Sequence, residues 1–262
     1  MFALKKFAGL FKKEWVLFRT WLFVAIFAGI MLSLVLPYLI KRFVDGLTLP
    51  ENQLSFALTM IVIVLGGLYS TLQFLASMRH DLKSKEIWLH STSSITQLVG
   101  VKVIFSLIGY AIFNLIFIMI AMYNVKDGFV ANFGQIVLSL ILSVGILVIF
   151  QWMMLVLLLL FLAFYLQIKH FIGRFAIVIM MGAFFFSMNL WYKFTESQLY
   201  ASIFHHIEMP LDWLAHYLPK AKVSTIEFIY NPLYVVEEVG MTIVIVILFI
   251  VATKWLEKVV LR

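Results

Sequence analysis

The chain has 262 residues, of which 64% are hydrophobic and 13% charged, with a mean hydropathy of +1.05 and a formal net charge of +7. A soluble domain would carry about 25% charged residues, so this composition excludes one and points to an integral membrane protein. The lack of cysteine excludes disulfides, thiolate metal sites and cysteine nucleophiles, and a sequence pI of about 9.5 is explained by basic residues spread over loops, which orient a membrane protein and do not call for nucleic acid.

At the N-terminus, Leu4, Phe7, Ala8, Phe11, Trp15 and Phe18 recur at helical spacing, with Lys5, Lys6, Lys12 and Lys13 on the other side. Such a strip predicts an amphipathic helix over residues 1–19 that lies in the membrane surface. No small-residue cleavage site follows an apolar core, so the segment is expected to stay in the mature chain.

Six apolar spans are expected next, each near the roughly 20 residues that a hydrocarbon core requires. They fall at about Trp21–Ile40, Phe56–Ala76, Val103–Tyr123, Phe133–Leu162, Phe175–Tyr192 and Val239–Trp255. Trp21, Tyr38, Tyr123, Trp191, Tyr192 and Trp255 sit near their ends, as interfacial anchoring predicts. With the N-terminus inside, the inner segments hold Lys5, Lys6, Lys12, Lys13, Arg19, Arg79, Lys83, Lys85, Lys102, Lys169, Arg174, Lys254, Lys258 and Arg262, 14 of the 20 basic residues. Lys41 and Arg42 run against the rule, but the asymmetry favours cytoplasmic N- and C-termini.

Between the second and third spans, residues 77–102 form the one charge-dense run in the first two thirds of the chain. Asp81 and Lys85 are spaced i to i+4, so the second helix is expected to continue toward Leu89. His90 to Ser94 then break it. Ser94 and Gln97 have the spacing of a capping box, which would start a short helix Ile95–Gly100 that presents Ile95, Leu98 and Val99 before Lys102 marks re-entry into the membrane. The same residues also fit a plain solvated connector.

The outer loop 193–238 keeps helix punctuation. Pro210 can open a short helix carrying Leu211, Trp213, Leu214 and Tyr217 that ends at Pro219, and Ser224 with Glu227 can cap a second. His205, His206 and Glu208, followed by Asp212 and His216, form a metal-like cluster without zinc-protease spacing. A wet amphipathic helix accounts for the same residues.

Gly100-Val101-Lys102 lacks the glycine and hydroxyl of a phosphate loop, so the chain is not expected to hydrolyse ATP itself. Away from their ends, the six spans hold no ionisable residue, which speaks against ion-coupled transport. Gln73, Asn114, Gln151, Ser187 and Asn189 are either glue between helices or the lining of a passage. Met153 and Met188 could join Gln73, Asn114, Gln151 and Asn189 along such a path, or fill gaps.

This layout resembles the ABC-2 family of ATP-binding-cassette exporter permeases over nearly the whole chain. The family opens with an amphipathic elbow helix often carrying a lysine-lysine-glutamate run, here Lys12-Lys13-Glu14-Trp15, followed by six spans. Its coupling helix corresponds to Trp88-Leu89-His90-Ser91-Thr92-Ser93-Ser94 through Lys102; the family's proline is missing here and the glycine lies two residues before the lysine. The resemblance implies a single all-α transmembrane domain over 1–262, with an elbow helix, a cytoplasmic coupling helix and two short outer-surface helices. It also implies a non-catalytic subunit in a bacterial plasma membrane, paired with a second permease, identical or homologous, and docked on two ATPase subunits that bind ATP and magnesium. The coupling contact would be His90, Ser91, Thr92, Ser94, Ile95, Gln97, Leu98 and Val99, and the substrate an amphiphile such as a peptide (antimicrobial peptides among them), a drug or a lipid. The competing expectations are a membrane metalloenzyme using His205, His206, Glu208 and His216, and a secondary transporter.

Overall fold

The computed structural model describes residues 2–43, 50–83, 94–208, 220–221 and 234–260. Helix α1 (Phe2–Ile30) passes through a π turn (Met31–Val35) into α2 (Leu36–Phe43). Then come α3 (Glu51–Lys83), α4 (Ile95–Asn124), α5 (Phe133–Ile172), α6 (Ala176–Thr195), α7 (Gln198–Phe204) and α8 (Val235–Val260). Besides these, Phe129–Val130 pairs antiparallel with Lys220–Ala221, two residues on each side.

Among the described residues, five helical stretches are long and apolar enough to cross a membrane: Lys6–Phe43, Glu51–Lys83, Ile95–Asn124, Phe133–Thr195 and Val235–Val260. Helix is the form such sequence must take, because hydrocarbon offers no partner for a free backbone N–H or C=O. The chain is therefore a helical, multi-pass membrane protein.

The fourth stretch is not straight. Gly173 takes φ +63°, a left-handed conformation that glycine adopts without a Cβ penalty. Beyond it α6 folds back along α5, bringing Phe161 edge-on to Phe184 with ring centroids 5.3 Å apart.

One end of the bundle, here the near end, gathers the start of α1, the end of α3, the start of α4 and the ends of α5 and α8. Leu10, Leu82, Ile95, Leu166 and Val260 all pack in or against a single apolar cluster there. Both ends of the described chain thus lie at this end. A second apolar cluster, built on Val62, Ile63, Phe113, Phe117 and Ile118, fills the far half. The rings of Phe117 and Phe113 press on Gly29 of α1 and Gly66 of α3, where no Cβ fits, which is how small residues let membrane helices approach.

At the far end, Pro37 explains the π turn. Proline has no N–H to give the carbonyl of Ser33 four residues earlier, and the ladder shifts register, with the Leu36 N–H bonding Met31 O. The Ser55 hydroxyl donates to Ser33 O at 2.7 Å and itself accepts from Asn124 Nδ2 at 2.7 Å, so three helices are tied at one freed carbonyl.

Several expectations change. From Phe2 onward the expected amphipathic segment and the first span are one unbroken helix to Ile30, so no separate elbow forms among the described residues. The short helix expected at Ile95–Gly100 is the beginning of α4, which runs on to Asn124. An apolar face at helical spacing continues into the span because nothing between Gly100 and Val103 breaks a helix. Residues 84–89, where α3 was expected to continue, and the two outer helices expected at 210–219 and from Ser224 lie outside the described residues. A short helix not anticipated, α7, is capped by Ser197, whose hydroxyl accepts from Tyr200 N at 3.2 Å.

Candidate functional site

The most chemically loaded place in the described structure is a buried ion network at the near end. Ser77 and Asp81 are one turn apart on α3, so both reach the same neighbour. That neighbour is Lys102, two turns into α4. Its Nζ lies 2.6 Å from Glu14 Oε1 of α1, 2.8 Å from Asp81 Oδ2 and 2.6 Å from Ser77 Oγ. An ammonium has three hydrogens to give, and here each has an acceptor. Ser77 passes the interaction on by donating its own hydroxyl to Glu14 Oε2 at 2.6 Å.

Lys13 completes the charge balance by donating to Asp81 Oδ1 at 2.8 Å, with His80 on the rim 3.3 Å from the same oxygen. The side chains of Lys102, Glu14 and Asp81 are 2%, 3% and 2% exposed, whereas His80 is half exposed. Phe11 and Trp15 stand edge-on to Phe105 at 5.5 and 6.4 Å, sealing α1 against α4 beside the charges. The buried Lys102, Glu14 and Asp81, with the partly exposed Lys13 as second cation, pair their charges and so offset a desolvation cost that a buried charge alone would not survive.

This arrangement revises three readings. Lys102 does not mark an exposed re-entry point, because it is buried inside α4. The segment 77–102 is not one loop: residues up to Lys83 belong to α3 and those from Ile95 to α4. The helices of membrane length also carry buried ionisable groups after all, just beyond the boundaries drawn from hydropathy.

Of the expected coupling residues, His90, Ser91 and Thr92 lie outside the described residues. Ser94 caps α4 by accepting from Gln97 N at 3.3 Å, which is one half of the expected capping box. Ile95, Leu98 and Val99 are not presented outward; they are buried in the near-end cluster against Met78, Leu155, Leu159 and Leu256. Ser94 and Gln97 are the exposed members. In the run 12–15, Lys12 is exposed, Lys13 and Glu14 belong to the network, and Trp15 packs on Phe105.

The uncharged polar residues divide. Gln73, Asn114 and Gln151 are buried inside the bundle, Met153 is half-buried, and Asn189 and Met188 lie on the exposed surface of α6. Gln151 Nε2 donates to Gly67 O at 3.2 Å and Thr71 Oγ1 at 3.1 Å, and Asn114 Nδ2 donates to Tyr110 O at 2.9 Å within its own helix.

At the far end, His205 stacks on Tyr234 with centroids 4.2 Å apart and stands 3.7 Å from Glu237, which also accepts the Tyr200 hydroxyl at 2.6 Å. Burial and the Glu237 carboxylate hold that phenol above its ordinary range, so it stays a donor. His206 and Glu208 are exposed, and among the described residues no three His, Cys, Asp or Glu side chains converge to hold a metal. His216 and Asp212 lie outside the described residues.

Compared with known proteins, the chain matches no family model, no curated protein and no solved structure.

Proposed function

We propose that this chain is the membrane-spanning subunit of an ATP-driven exporter, with six spans, both termini cytoplasmic, and energy received at the connection between α3 and α4. The fold-back at Gly173 supports six spans, since it turns Phe133–Thr195 into two antiparallel helices of which α6 alone has 20 residues. The observation that carries the reading is the ion network. Asp81 and Lys102 stand on either side of the 84–93 connection and bond each other directly, while Glu14 and Lys13 bring in α1. A force that reaches Asp81 or Lys102 would therefore be shared by three helices. Paired with a second permease, identical or homologous, the subunit would open a path for an amphiphile (peptide, drug or lipid), whose apolar part the Phe- and Met-rich helices suit.

The test is to co-express the full chain with soluble ATP-binding-cassette ATPases from its own genome. A complex that survives detergent, with ATP hydrolysis raised by the membrane subunit, is expected; neither co-purification nor stimulation would overturn the reading. The same network supports a second reading, since buried carboxylates and a lysine in membrane helices also serve ion-coupled carriers. Transport that collapses with an uncoupler but persists without any ATPase would decide for a secondary transporter.

A further inference from the structure

Between its two apolar cores the bundle is crossed by a polar layer. Most of it is internally bonded: Ser70 Oγ donates to Ser106 O at 3.2 Å, and Gln151 bonds α3 as described. Among the described residues three buried side-chain oxygens have no hydrogen-bond partner: the Tyr69 hydroxyl, Gln73 Oε1 and, further along α4, Asn114 Oδ1; Gln73 as a whole is 1% exposed. The first two belong to this layer.

These two atoms converge on one place. A Cβ at Gly109 of α4 would stand 3.5 Å from Gln73 Oε1 and 4.0 Å from the Tyr69 hydroxyl oxygen, so the missing side chain leaves a cradle that both oxygens face. One is an acceptor and the other can donate, which is the complement of a single water molecule. A buried polar atom left unbonded in a membrane protein is costly, and a site with converging polar partners and room against a glycine is where internal water persists.

We propose that Tyr69, Gln73 and Gly109 form a binding site for one internal water, which accepts from the Tyr69 O–H and donates to Gln73 Oε1. Both hydrogen bonds go to α3, and the water occupies the space that Gly109 of α4 leaves beside them, where direct packing would leave two polar atoms stranded. It does not depend on the export reading.

Glycine-to-alanine substitution at this position separates a filled cradle from an empty one by sign. At 3.5 and 4.0 Å the added methyl is in ordinary contact with both oxygens, so Gly109→Ala meets no clash with the protein itself. In an empty cradle alanine fills space and improves helix propensity, so the unfolding temperature rises. With water present, alanine expels it and strands both oxygens, so the unfolding temperature falls. The experiment is thermal unfolding of the full chain in detergent, for Gly109→Ala alone and in a Tyr69→Phe/Gln73→Leu background where neither oxygen needs a partner. A fall in the first and a rise in the second are expected. A rise in both, or a fall in both, would overturn the proposal. Should the double background not fold, infrared spectra decide: an O–H stretch that shifts in oxygen-18 water and disappears in Gly109→Ala supports the site, and its absence from the unsubstituted protein overturns it.

Discussion

Lys102 Nζ lies 2.6 Å from Glu14 Oε1 although 88 residues separate them, and neither side chain is more than 3% exposed. Removing one partner of such a pair leaves the other charge buried without compensation, at about 3–5 kcal/mol. Lys102→Met keeps the length and removes the charge, so it should strand Glu14, leave Asp81 with Lys13 alone, and lower stability by that order. Adding Glu14→Gln to Lys102→Met should recover part of the loss, because the stranded charge is then gone. Thermal unfolding in detergent measures both; a single mutant within about 1 kcal/mol of the parent would mean that water already reaches the network.

The long apolar helices were legible in the sequence, because such runs in a membrane have few alternatives, whereas the continuity of α1 and of α4 through their amphipathic starts, and the short α7, were not. The network was legible too, but in a pattern passed over. Glu14 sits at i−3 and i+4 spacing from Phe11 and Phe18, in the middle of the apolar stripe and not on the lysine side, and Lys102 has Val99 and Phe105 one turn to either side. A charge centred in an apolar stripe asks for a partner. What one strand of sequence could not supply was which partner, since residues 14, 81 and 102 meet only through the packing of three helices. The apolar face of Ile95, Leu98 and Val99 was ambiguous for a related reason: periodicity reveals a face that must be covered, and says nothing of whether the cover is this chain or another.

That ambiguity gives a pair of opposed outcomes at the start of α4. Leu98 is 4% exposed within the near-end cluster, so Leu98→Ala should cost about 2–5 kcal/mol in stability whatever the protein does. Gln97 is exposed one residue earlier, and Gln97→Ala should leave unfolding within about 0.5 kcal/mol. If the proposed ATPase docks here, Gln97→Ala lowers the stimulation of hydrolysis with unfolding unchanged. A loss of stability at Gln97 as large as at Leu98 would count against this placement of the helix face.

The π turn supplies a double-mutant cycle. Ser55→Ala removes the hydroxyl that serves Ser33 O, and hydrogen bonds between membrane helices are worth about 0.6 kcal/mol on average and up to about 1.7. Pro37→Ala restores an N–H that can serve the same carbonyl from within the helix. The cost of Ser55→Ala should therefore shrink in the Pro37→Ala background. Equal costs in both backgrounds would show that Pro37 is not what frees Ser33 O.

The two ends of the bundle give the last prediction, which tests orientation directly. Asn124 lies at the far end with Ser33 and Ser55, so Lys126, two residues on and exposed, should face the outer side. Lys254, 64% exposed, is at the near end beside Trp255, whose indole N–H donates to Gln167 Oε1 near the end of α5. The chain has no cysteine, so Lys126→Cys and Lys254→Cys each introduce a single reactive thiol against no background. Both are surface positions, where substitution costs little. A membrane-impermeant maleimide should label Lys126→Cys in intact cells and Lys254→Cys only after permeabilisation. The opposite pattern would invert the protein and place the α3–α4 connection outside, away from any cytoplasmic ATPase. Labelling of both from one side would break the assignment of near and far ends, because the near-end cluster ties the end of α8 to the start of α4 whichever way the membrane lies.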